Sequence, residues 1–82
     1  MPASAPNALD LRALPPNRKQ ATLIATFDRL DVGESFILVN DRDPTALCTG
    51  LTAERPNQGD WTCLRNGPYV WHVRIHRQSP DP

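Results

Sequence analysis

Seven polar side chains cluster where this chain twice changes from an extended to a helical pattern. Arg12, Arg18 and Lys19 flank the first change, and Asn40, Asp41, Arg42 and Asp43 lie at the second. Guanidinium groups bind carboxylates and phosphates through paired N–H donors, and helix N-termini favour anions. The chemistry this set offers is capture of a small anion or an acidic peptide. The arginines would contact the anionic group, while Asp43 orients the start of a helix. A structural reading competes: Asp43 caps the second helix, Asn40 and Asp41 make Asx turns, and Arg12 pairs with a nearby carboxylate.

The other reactive residue types offer less. Cys48 and Cys63 are the only cysteines. They form no Cys-x-x-Cys motif, and two thiols without neighbouring histidines make a poor zinc site. In a reducing compartment both are expected as free thiols packed as small hydrophobes; a disulfide or a catalytic thiol is the other reading. His72 and His76 stand four residues apart in a strand-like stretch, a separation of about 13 Å, so they do not share a metal. No Ser-His-Asp order, glycine-rich phosphate loop or carboxylate pair emerges, and enzyme function is unsupported. Trp61 and Trp71 could form an aromatic platform, but tryptophans in a small domain are expected in the core.

Size and charge narrow the classes further. At 82 residues one domain is expected, with a thin core. The formal net charge is zero, which argues against nucleic acid as the main partner, because phosphate binding needs a concentrated basic face. No apolar run approaches the roughly 20 residues of a membrane helix. Met1 to Asn7 lacks the basic start and apolar middle of a signal peptide. A cytoplasmic location is the expectation.

The elements that must hold these residues are legible in outline. Phe36-Ile37-Leu38-Val39 is a short apolar run ending in the polar turn Asn40-Asp41-Arg42, which reads as a central strand. Asp43-Pro44 reads as N-cap and first residue of a helix to about Glu54. Leu47, Cys48 and Leu51 share one face of that helix, and Gly50 weakens it by roughly 1 kcal/mol. Before the central strand, Ala8 to Arg12 alternates like a half-buried strand, and Pro15-Pro16 halts it. A helix from about Pro16 to Leu30 follows, with Leu23, Ile24, Phe27 and Leu30 as its apolar stripe. Arg18, Lys19, Gln20, Thr22 and Arg29 are expected in solvent, and Asp31 to Glu34 forms the turn back.

Asp60 to Leu64 and Tyr69 to His76 predict a closing hairpin around Arg65-Asn66-Gly67. A two-residue turn at Asn66-Gly67 would put Trp61 and Cys63 opposite in facing to Trp71, Val73 and Ile75. A three-residue turn pairs Trp61 with Trp71 and Cys63 with Tyr69, gathering the apolar residues on one face, and is preferred. His72, Arg74 and His76 then face solvent. The expected fold is α+β: a two-layer α/β sandwich in the order β-α-β-α-β-β, with a mixed four-stranded sheet and both helices on one face. The expected domain is 8–77, with a disordered tail at 1–7 and a polar tail at 78–82.

Several stretches also resemble one bacterial family. They are Leu9-Asp10-Leu11-Arg12-Ala13-Leu14-Pro15-Pro16, Phe27-Asp28-Arg29-Leu30, Gly33-Glu34-Ser35-Phe36, Leu38-Val39-Asn40-Asp41-Arg42-Asp43-Pro44 and Gly67-Pro68-Tyr69-Val70-Trp71-His72-Val73-Arg74-Ile75. The family is the domain of unknown function numbered 2249, related in fold to the TusA/SirA-like sulfur carriers. The resemblance implies a TusA-like fold over roughly Leu9 to Arg77. Sulfur carriers place a Cys-Pro at the start of their first helix, where the helix end stabilises a thiolate. Here that step is Pro15-Pro16, and the nucleophile is missing.

Many members carry histidine where this chain has Lys19 and Arg42, and such a pair invites a metal or haem proposal. Lysine and arginine have no free lone pair at neutral pH and are poor ligands. Fusion of some members to hemerythrin-like or iron-centre repair domains implies a redox or respiratory setting involving iron or nitric oxide. The reading is therefore a small cytoplasmic binding or interaction module without cofactor, expected as a monomer. Its partner would be a protein or small anion, not nucleic acid or membrane. A sulfur relay through Cys48 or Cys63 is the alternative, and a metal- or haem-binding module the third reading.

Overall fold

The computed structural model describes residues 8–79. The tail expected at 1–7, and residues 80–82 of the other, lie outside the described residues. The element order is β1 (Ala8–Asp10), α1 (Pro16–Asp28), β2 (Ser35–Asn40), α2 (Thr45–Glu54), β3 (Gly59–Asn66) and β4 (Trp71–Arg77). These form one four-stranded sheet in the order β1-β2-β4-β3. β1 runs parallel to β2, as a helical crossover requires, while β4 is antiparallel to both β2 and β3.

Alternation in β2 decides which face is covered. Phe36, Leu38 and Asn40 are buried, and Ile37 and Val39 are half-buried. Phe36 pairs with Ile75 and Leu38 with Val73, so these four side chains share one face. They form a single core with Leu23 and Phe27 of α1 and with Cys48 and Leu51 of α2. Both helices therefore cover the same side, and the sheet's other face is open. This is the expected two-layer α+β sandwich.

Boundaries differ from expectation for local reasons. β1 stops at Asp10, two residues early, because the Asp10 carboxylate accepts the Arg12 N–H and turns the chain. α1 stops at Asp28, and a tighter turn continues through Leu30, whose N–H donates to the Phe27 carbonyl. The Arg77 guanidinium donates to the Leu30 carbonyl at 2.9 Å and lies 5.4 Å from the centre of the Phe27 ring. It thereby caps that end of the helix. α2 begins at Thr45, one residue later than expected, with Pro44 at the cap position.

The hairpin register is corrected. Trp61 pairs with Ile75 and Cys63 with Val73, instead of Trp71 and Tyr69. Pro68 explains the difference: it has no N–H to give a ladder, so the connection becomes Gly67 to Val70, closed by the Gly67 N–H on the Val70 carbonyl at 3.0 Å. Gly67 has φ +66°, and a Cβ there would meet the Trp71 ring at 2.6 Å. Arg65 and Asn66 join β3, and a bulge between Cys63 and Arg65 absorbs the extra residue. Lys19 is corrected too. Expected in solvent, it is 7% exposed, because Lys19, Leu23 and Phe27 repeat every four residues along the inward stripe of α1.

Leu38 is fully buried at the centre of the core. Leu38→Ala should lower unfolding free energy by about 2–5 kcal/mol in urea titration. Ile37→Ala, on the open face of the same strand, should cost clearly less.

Candidate functional site

The C-terminal ends of the parallel pair β1 and β2 bring together most of the polar residues singled out above. Lys19 reaches from α1, and its Nζ donates to Asn40 Oδ1 at 2.8 Å and to Asp41 Oδ1 at 3.2 Å. Asn40 is 2% exposed, and its amide donates onward to the Arg42 carbonyl at 3.0 Å. The Asn40 side chain thus joins the start of α1 to the turn leading into α2. Burying an ammonium is tolerated only with such partners, and no buried side-chain polar atom among the described residues lacks one.

Beside this core of the site, Arg12 folds back on Asp10. Its Nη2 lies 2.6 Å from Asp10 Oδ2, and its Nε donates to Asp10 Oδ1 at 2.9 Å. The guanidinium and the Arg12 backbone N–H together lower the Asp10 carboxyl to about 2. Asp10 raises the Arg12 pKa most, and Asp41 adds a smaller favourable charge. Asp43 Oδ1 accepts the Thr45 N–H at 2.9 Å and the Thr45 hydroxyl at 2.6 Å. These bonds hold its carboxyl below the usual range.

Arg18 is not brought to this cluster. It lies on the outer side of α1, along an open groove with Asn17, Ala21, Thr22, Ala25, Thr26 and Arg29. Arg42 contributes its carbonyl to the network, and its exposed guanidinium has no hydrogen-bond or ion-pair partner among the described residues. The start of α1 is a poor anion cradle. Pro16 has no N–H, and the Arg18 N–H already donates to the Pro15 carbonyl at 2.9 Å. A small anion at this edge would have to compete with Asp10 for Arg12 and with Asp41 for Lys19.

The cysteines separate. Cys48 is fully buried, and its thiol is pushed up to about 12, mainly by burial, with smaller contributions from the charges of Asp43 and Cys63. It cannot supply a thiolate near neutrality. Cys63, expected to pack as a small hydrophobe, is exposed. His72 and His76 alternate on the open face of the sheet, with His76 Nδ1 3.5 Å from Asp60 Oδ2. Among the described residues no three His, Cys, Asp or Glu side chains gather as a metal would require.

The sequence reading missed the surface of β3. The strand is an edge, half-buried at Gly59 and exposed from Asp60 onward. Trp61 is 37% exposed, Leu64 54%, and Tyr69 in the adjoining turn 86%. Trp61, expected inward, instead shares a small surface crevice with Phe27, Leu51, Thr52 and Arg55. The signal in the sequence is Pro68, which puts Tyr69 in the connecting turn instead of the ladder.

Three outcomes follow from the polar cluster. Lys19→Met keeps the packed stem but strands Asn40 Oδ1, and should lower stability by about 1–3 kcal/mol; Arg12→Ala should leave the urea midpoint almost unchanged, because that pair is solvated. The folded Asp10 titrates at about 2 against an ordinary 3.8. Its contribution is therefore complete above about pH 4 and lost as pH falls through about 2. Asp10→Asn should flatten the acid limb of a urea-midpoint profile across that window only slightly, because the pair is solvated.

The fold has a solved counterpart. The solution structure of HP1264 from Helicobacter pylori matches with a TM-score of 0.75 at 13% identity, covering 90% of this chain and 100% of that one. At that identity the likeness shows the fold alone. No curated protein matches the chain in sequence. The family described as "Uncharacterized conserved protein (DUF2249)" matches residues 8–77. The strand-to-helix turns and closing hairpin described above all fall within that span, and the chain belongs to the DUF2249 family.

Proposed function

We propose that this domain is a protein-binding module that captures an extended segment of a partner along the free edge of β3. One observation carries the reading: the longest strand of the sheet is an edge strand with no buried residue. Edge strands are ordinarily short, charged or covered, because their unpaired N–H and C=O groups accept another strand. Addition of an extended peptide to such an edge is a recurring recognition mode. Trp61 and Tyr69 supply the aromatic surface on which binding energy concentrates.

The edge is also selective. Asp60 and Arg65 sit near its two ends, and the bulge between Cys63 and Arg65 breaks the regular ladder. The segment that fits has an apolar centre, with a basic residue toward Asp60 and an acidic residue toward Arg65. The charged cluster of Arg12, Lys19, Asn40, Asp41 and Asp43 then has a structural role, holding the two strand-to-helix turns in place. Among the described residues no helix is long and apolar enough to cross a membrane. A redox or respiratory setting belongs to this proposal and rests on the family resemblance, and a cytoplasmic location on the sequence reading of Met1 to Asn7.

Photocrosslinking in native cells tests it. A benzophenone amino acid at Leu64 or Tyr69 should yield one discrete protein adduct, and none at Ala25 on the outer side of α1 or at Arg42. An adduct at Arg42 without one at Leu64 would contradict the proposal and shift the site to the charged edge.

A further inference from the structure

Cys48 and Cys63 belong to the two elements that the loop 55–58 joins. α2 ends at Glu54 and β3 begins at Gly59. The turn between them is tight: the Arg55 N–H donates to the Leu51 carbonyl, and the Gln58 N–H to the Arg55 carbonyl. Helix and strand therefore run back alongside each other. Near the loop, Leu51 and Trp61 line the same crevice. One helical turn farther from the loop stands Cys48, about 9 Å from the helix end. Two residues farther along β3 stands Cys63, about 13 Å from the strand start.

Their facing agrees. Cys63 pairs with Val73 across the ladder and so shares its side of the sheet, while Val73 and Cys48 lie in one buried cluster. The charge of Cys63 is also felt at Cys48. One thiol is open to solvent and the other is buried.

We propose that Cys48 and Cys63 form a two-thiol oxidation site, which a hydroperoxide converts to an intrachain disulfide locking α2 to β3. The Cys63 thiolate attacks the peroxide; an S–O bond forms, the O–O bond breaks, and the departing oxygen leaves as water or alcohol. Cys63 is oxidised to a sulfenic acid. The Cys48 sulfur then attacks the Cys63 sulfur; the S–S bond forms, the S–O bond breaks, and hydroxide leaves as water with the Cys48 proton. Two thiols and one hydroperoxide give one disulfide, one water and one water or alcohol. Cys63 reacts first because it is accessible, whereas Cys48 is buried and its thiol is held protonated. This site does not depend on the binding role of the β3 edge.

The test is hydrogen peroxide treatment of the folded chain, then alkylation in denaturant and intact mass measurement. The expected product is a monomer that has lost two hydrogens, takes up no alkylating reagent and yields a reducible peptide linking Cys48 to Cys63. Cys63→Ser, a surface change, should abolish it. Cys48→Ala should leave a sulfenic acid on Cys63 that dimedone captures. If Cys48→Ala fails to fold, the wild-type peptide map and Cys63→Ser decide the matter. Cys63-linked dimers, or over-oxidised Cys63 beside an alkylatable Cys48, would overturn the proposal.

Discussion

A mismatch in length between α2 and β3 governs much of this domain. A helix of 10 residues is about 15 Å long, whereas the neighbouring strand of 8 residues extends about 26 Å. The two start from the same short turn and run side by side, so the helix gives out before the strand does. Beyond that point lie Leu64 and the connecting turn with Tyr69, and both residues are exposed. β4 escapes this because β2 and β3 flank it, and its Val73 and Ile75 lie in the covered centre. The far end of the strand is bare where the helix stops, and the binding role proposed for β3 rests on its open edge.

The opposite edge of the sheet is held differently. β1 has only three residues, and its charged end is closed by contacts within the chain. The Lys19 stem lies in the inward stripe of α1, and its ammonium ends on Asn40, at the last position of β2. That contact fixes the relative placement of the first helix and the central strand while exposing almost no charge. A second pair, Arg55 Nη2 to Asp28 Oδ2 at 2.7 Å, ties the far ends of the two helices. Gly50 contributes in another way: a Cβ there would meet the Gln20 side chain at 2.7–2.9 Å. The residue that weakens α2 thus leaves room for the end of the Gln20 side chain.

What the sequence makes legible follows from local physics. The apolar run in β2, the Pro15-Pro16 stop and the stripe of Leu23 and Phe27 each specify an element without reference to the rest, and each element is present. The hairpin register depends on which N–H groups exist; Pro68 removes one, and the apolar pattern alone points to the wrong pairs. Lys19 is hidden from a reading that sorts residues by polarity, although its spacing from Leu23 and Phe27 places it on the inward stripe. For the charged cluster, residue types announce polar contacts but not whether the partner is a ligand or the chain itself. The nearby carboxylate expected for Arg12 is Asp10, which already holds it. The exposure of Trp61 and Cys63 is not carried by any local pattern, since both face the helix side through their pairs Ile75 and Val73 and are exposed because β3 is the edge of the sheet.

The most direct measurement of the central claim is residue-resolved amide hydrogen exchange along β3 in the isolated domain. A free edge leaves alternate N–H groups without a partner while the others bond to β4. The account predicts alternating fast and slow exchange from Asp60 to Cys63, becoming irregular through the bulge. Uniformly slow exchange across the whole strand at low protein concentration would mean that the edge is already covered, contradicting its role as an open docking strand.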